Sequence, residues 1–112
     1  MGLAVVSAAA PALADNTINI TGVGPASVGV DYSCEASAGV VGIKAMVGDP
    51  RAESPSATGT QDTVTCDGAQ HAAVVVLDGL PLSKGQQVQV RVALVDRDDT
   101  VASGQANVFT LG

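Results

Sequence analysis

Aromatic side chains are almost absent from this chain. Its 112 residues include one tyrosine, one phenylalanine and no tryptophan. Platforms that stack sugars or single-stranded nucleic acid need several ring faces, and this composition argues against them. It argues equally against an interface anchored on Trp and Tyr. Basic residues are scarce as well. Five Lys and Arg stand against eleven Asp and Glu, a net charge of −6. A chain this acidic repels phosphate backbones and offers no polybasic segment to anionic lipid. Neither nucleic acid nor a membrane is therefore an expected partner.

Catalytic residue types are thin on the ground. Histidine occurs once, as His71. A Ser-His-Asp site needs that ring beside an activated serine, and no serine here lies in a nucleophile-elbow motif. His71 follows a turn and precedes an apolar run, so the expectation is a hydrogen bond that satisfies backbone at a strand entry. No catalytic residue, cofactor or enzymatic activity is expected.

What is present points to export. Residues 5–14, Val-Val-Ser-Ala-Ala-Ala-Pro-Ala-Leu-Ala, resemble the end of a secretory signal peptide. Ala12-Leu13-Ala14 forms an A-x-A cleavage box, which makes Asp15 the expected mature N-terminus. Residues 1–14 carry no charge, so Met1 is expected to lie inside a longer signal. The stretch is too short and too alanine-rich to be a spanning helix. Residues 15–112 then make one small domain, expected to be secreted and unanchored. In an oxidising compartment, Cys34 and Cys66 read as one structural disulfide. Closing a loop of about 30 residues stabilises by about 3–4 kcal/mol in the chain-entropy picture, a useful addition to a core built from Val, Ile, Leu and Ala.

No stretch shows a helical period; alternation with period two recurs instead. Thr17–Val23 reads as a first strand. Val28, Val30, Tyr32 and Cys34 alternate with Gly29, Asp31, Ser33 and Glu35, predicting one buried and one wet face. Glu35–Gly39 reads as a turn. Val41, Ile43, Ala45 and Val47 then share a face, opposite Gly42, Lys44 and Met46. Residues 48–61 are rich in Pro, Ser, Gly and Thr and read as a long loop. Thr63–Cys66 reads as a short strand, ended by the turn signal Asp67-Gly68. Ala72–Leu77 is a continuous apolar run, expected to be buried on both faces. Val88, Val90, Val92 and Leu94 alternate with Gln87, Gln89, Arg91 and Ala93. Asp96–Thr100 reads as a hairpin tip, and Gln105–Leu111 closes the domain. About seven short strands with frequent turn signals predict an all-β, immunoglobulin-like antiparallel sandwich.

Three segments carry a resemblance. Tyr32-Ser33-Cys34, Cys66-Asp67-Gly68-Ala69-Gln70-His71 and the alternation from Val88 through Leu94 to Asp96 resemble a group of small exported actinobacterial proteins. That group is a domain family of unknown function, so it implies a secreted, single-disulfide β domain and supplies no active residues.

Two surfaces merit attention. Binding residues concentrate on loops held by a rigid scaffold, which makes residues 48–61 the expected functional surface, with Asp49, Arg51 and Glu53 as candidate binding residues. This loop lies within the Cys34–Cys66 segment, so the disulfide is expected to limit its motion. Asp96, Asp98 and Asp99, with Asp78 close by, offer oxygen atoms of the kind calcium takes. Their spacing does not fit an EF-hand and Arg97 interrupts them, so the expectation is a solvated tip without metal. Asn19-Ile20-Thr21 forms a glycosylation sequon, read as chance in a bacterial chain.

The expected function is a secreted, non-enzymatic β-sandwich acting as a binding or interaction module or as one subunit of an extracellular assembly, with another secreted protein as partner. One alternative is an inhibitor of extracellular hydrolases that presents Arg51. Another is a carrier of a small apolar molecule, since the small acidic secreted profile resembles the apoproteins of enediyne chromoproteins. Those have two disulfides and an aromatic-lined cleft.

Overall fold

A computed structural model describes residues 16–79 and 82–111 of the chain. The expected signal segment, residues 1–14, lies outside the described residues. The strands are β1 (Thr17–Val23), β2 (Ser27–Ser33), β3 (Val40–Gly48), β4 (Ala57–Gln61), β5 (Gln70–Val76), the two-residue β6 (Asp78–Gly79), β7 (Gln87–Asp96) and β8 (Val101–Thr110). A 3₁₀ turn, Ala36–Ala38, joins β2 to β3 and ends on Gly39 in the left-handed region (φ 75°), a conformation that favours glycine.

Every strand pairing is antiparallel, and the strands form two sheets. One has the order β1-β2-β5 and the other β6-β4-β3-β7-β8. The chain crosses between the sheets from β2 to β3 and back from β4 to β5, which gives the expected immunoglobulin-like sandwich.

Alternation drives this arrangement. Val28, Val30 and Tyr32 of β2 point inward, as do Val88, Val90, Val92 and Leu94 of β7. They meet Ile43, Ala45 and Val47 of β3 and Val75 of β5 in one aliphatic core. Each such Val, Ile or Leu stabilises the fold by about 1.5–3 kcal/mol relative to exposure. The two largest fully buried side chains, Ile43 and Leu94, sit opposite each other in the β3–β7 register. Tyr32 keeps its hydroxyl satisfied by accepting from Thr65 N at 3.0 Å.

Several strand expectations need correction. Residues 57–61 are not loop: β4 pairs with β3 from Val47↔Ala57 to Ile43↔Gln61. The small residues that suggest a loop are what a strand at a sandwich corner requires. A side chain on Gly59 would overlap the carbonyl of Val76 on β5. The true loop is residues 49–56. Thr63–Cys66 is not a strand, since its partners are the Tyr32 hydroxyl and the disulfide rather than a ladder. β5 is not buried on both faces. Among the described residues nothing covers its outer side, and Val74 and Val76 are 54% and 68% exposed while Val75 is fully buried. A bulge between Val40 and Gly42 turns Val40 inward and Val41 outward, so Val41 does not share the face of Ile43.

Cys34 and Cys66 form the expected disulfide, with Cα atoms 4.7 Å apart. It joins the end of β2 to the β4–β5 connection, and Gly68 N donates to Cys34 O beside it. The disulfide does not restrain the 49–56 loop, contrary to expectation. β3 runs its nine residues from Val40, near Cys66, to Gly48, where the loop begins. At about 3.3 Å per residue, the loop lies roughly 30 Å away at the opposite end of the sandwich.

Two glutamines bridge the open sides between the sheets. Gln105 of β8 accepts from Ile20 N of β1 at 2.7 Å and donates to Asn19 Oδ1 at 3.1 Å. On the other side, Gln61 of β4 donates to Val74 O of β5 at 3.1 Å.

Candidate functional site

The 49–56 loop opens with a turn made by its own side chain. Asp49 Oδ1 accepts from Arg51 N at 2.8 Å, while Ala52 N donates to Asp49 O at 3.0 Å. Asp-initiated turns of this kind hold their backbone without outside help. At the far end Ser56 N donates to Val47 O, handing the chain into the β3–β4 ladder. Arg51 stands at the turn with its side chain 92% exposed and its Nε 3.7 Å from Asp49 Oδ1. It is therefore presented on a tight turn and not on the extended segment that enters a protease cleft.

The loop leans over the outer face of the five-stranded sheet. Strand register defines that face. Lys44 lies opposite Ala93 and Met46 opposite Arg91 across β3–β7. Arg91 lies opposite Ala106, Ala93 opposite Gly104 and Gln89 opposite Val108 across β7–β8. Residues directly opposite in antiparallel strands share a face. The result is a low floor of Ala93, Gly104 and Ala106 between taller side chains, with Met46 and Val108 half-exposed.

Two concavities result. A cup of about 160 Å³ lies where the loop meets the sheet; Asp49, Glu53 and Pro55 line its loop side, and Met46, Gln89 and Arg91 its sheet side. A groove of about 360 Å³ runs over Lys44, Ala93, Gly104 and Ala106. Met46 and Arg91 belong to both, so cup and groove form one continuous surface. Both concavities lie on the outside of the sandwich and not between the sheets, and no aromatic side chain lines either of them, unlike the cleft of the carrier apoproteins.

The charges on this surface are unequal in availability. Lys44 Nζ is 2.9 Å from Asp99 Oδ1, which neutralises it. Among the described residues, Arg91 has no ion-pair partner. The structure thus brings Asp49 and Glu53 to the cup and leaves Arg51 outside it. It also adds Met46 and Arg91, which sequence reasoning missed. The alternation of β7 identifies Arg91 as outward-facing, but only the register reveals which neighbours it has.

The aspartate tip is committed to its own turn. Asp96 Oδ1 accepts from Asp98 N at 2.8 Å and Thr100 N at 2.9 Å, and Asp99 takes up the left-handed conformation (φ 63°) from which it reaches Lys44. Asp78 is not close by, because β6 pairs with Thr58 toward the loop end of the domain. Among the described residues, no group of three or more His, Cys, Asp or Glu side chains converges.

His71 bonds a carboxylate rather than backbone. Its Nε2 is 2.9 Å from Asp67 Oδ1. This hydrogen bond, aided by the Ala69 N–H, holds the Asp67 carboxyl below its usual range. The ring tilts against Tyr32 at 5.8 Å between centroids. Tyr32 is the cross-strand partner of His71, while Ser33 pairs with Gln70 and turns its hydroxyl to Gly68 O. Adjacent positions on a strand face opposite ways, so Ser33 is not presented to His71 as a nucleophile. No helix among the described residues is long and apolar enough to cross a membrane.

No protein-family model matches the chain, and no curated protein matches it.

Proposed function

We propose that this chain is an exported, non-enzymatic interaction module, working outside the cell on another secreted protein through the outer face of its five-stranded sheet. One observation carries the reading: cup and groove share Met46 and Arg91, whose guanidinium has no ion-pair partner among the described residues. Met and Arg are enriched at protein interfaces, and an exposed guanidinium beside a flexible apolar side chain suits a carboxylate flanked by apolar groups. The partner element proposed is an extended segment of that kind, laid over Ala93, Gly104 and Ala106. The disulfide, the acidic net charge and the resemblance to small exported actinobacterial proteins support an extracellular setting.

The test is capture of the partner from the producing culture's supernatant, with mass spectrometry of what co-elutes. Wild-type protein is expected to retain one partner at stoichiometric yield, and Arg91→Glu to lose it. Equal yield from both proteins overturns the assignment of the face. Turnover of a substrate that disappears on changing His71 overturns the non-enzymatic reading.

A further inference from the structure

A sandwich of this kind has four outer edges, and exposed edges invite strand pairing unless something blocks them. Three carry a device here. β1 has its Ile20 N–H taken by Gln105, β5 has its Val74 carbonyl taken by Gln61, and β4 is paired with β6 at Ala57 and Thr58. β8 has none. It is a ten-residue strand, Val-Ala-Ser-Gly-Gln-Ala-Asn-Val-Phe-Thr, with no charge and no proline to discourage pairing.

Hydrogen-bond parity fixes which β8 groups are available. Leu111 N donates to Gln86 O, which makes that pair a bonded one. Bonded and non-bonded pairs alternate along an antiparallel ladder. Ser103, Gln105, Asn107 and Phe109 therefore direct their backbone groups at β7. Gly104, Ala106 and Val108 direct theirs away from the sheet, where no backbone bond from another described residue meets them.

We propose that β8 pairs antiparallel with β8 of a second copy of this chain, about a two-fold axis at Ala106. The outward parity is self-complementary in that register: Ala106 meets its own copy, and Gly104 meets Val108 twice. The pairing forms about six backbone hydrogen bonds. It places the exposed Val108 beside a glycine instead of another bulky side chain. Charge fits at the ends. Lys84 lies in the turn beside Leu111, and the carboxylate of Asp98, which unlike Asp99 has no ion-pair partner among the described residues, lies in the tip that precedes Val101. Antiparallel pairing brings the Lys84 end of each copy to the acidic tip of the other. Because the contact is isologous it closes at two copies, producing one continuous ten-stranded sheet. This inference does not depend on what the outer face binds.

Light scattering coupled to size exclusion tests it on the intact chain, whose mass is 11.0 kDa. Wild type is expected at about twice that mass at roughly 100 µM, separating on dilution. Ala106→Pro removes an outward N–H and no β7 bond, and is expected to weaken association by at least about tenfold. Ala106→Lys sets two like charges directly opposite at the axis and is expected to do the same. If the proline variant does not fold, the lysine variant decides. A wild type that stays monomeric at roughly millimolar concentration overturns the proposal. So does a dimer that the folded variants leave intact, or growth into open-ended assemblies.

Discussion

Gln105 reaches from β8 across the side of the sandwich to Ile20, its Oε1 2.7 Å from the Ile20 nitrogen. The residues are 85 apart in sequence, and the bond ties together two strands that belong to different sheets. The same amide donates to Asn19, so one side chain serves both a donor and an acceptor on β1.

Gln105→Leu therefore removes an acceptor from a part-buried N–H. Leaving such a donor unsatisfied costs about 1–2 kcal/mol. Urea unfolding is expected to show a lower midpoint with an unchanged slope. Gln61→Leu is expected to cost less, because its bond to Val74 O is solvent-exposed and water can replace it.

Gly59 presents a steric test. A methyl group there would collide with the Val76 carbonyl, a backbone atom that cannot swing aside. Gly59→Ala is expected to destabilise by about 1–3 kcal/mol. Gly22→Ala, where an added carbon meets nothing within 4 Å, is expected to leave the thermal midpoint nearly unchanged.

Strands β2 and β7 were legible because Val28, Val30 and Tyr32, like Val88 through Leu94, alternate cleanly with polar residues. β4 was illegible because it buries only Ala57 and needs Gly59 for clearance, leaving no apolar alternation to detect. The pattern of Ala72–Leu77 records hydrophobicity but not the exposure of Val74 and Val76. At the candidate surface, Asp49 and Glu53 were found by loop composition. Met46 and Arg91 were not, because their adjacency depends on β3–β7 register, which no local pattern encodes.

The Asp67–His71 pair predicts a pH dependence with a definite sign. The folded state holds the Asp67 carboxyl below its ordinary value of 3.8. Its contribution to stability is present above that value and is lost as pH falls through the lower folded pKa. His71→Gln is expected to bring the Asp67 titration, followed by carboxyl NMR, back toward 3.8. No movement of that titration would show that the histidine contact does not form in solution.

Reducing the disulfide is expected to lower stability by about 3–4 kcal/mol for a crosslink spanning 32 residues. Hydrogen exchange is expected to rise at Thr65, Gly68 and neighbouring amides. Protection of the Arg51, Ala52 and Ser56 amides is expected to fall only in proportion to global unfolding, since their acceptors are Asp49 and Val47.

That separation of the Cys34–Cys66 bond from residues 49–56 gives the domain a division of labour along its length. One end is welded, while at the other the 49–56 loop itself is held by hydrogen bonds to Asp49 and Val47. Sequence at Pro50–Ser54 can change, or be replaced by a longer insert, without touching the weld or the valine core. The fold is built to accept grafted peptides there, in the manner of a display scaffold whose anchor and presenting tip lie at opposite poles.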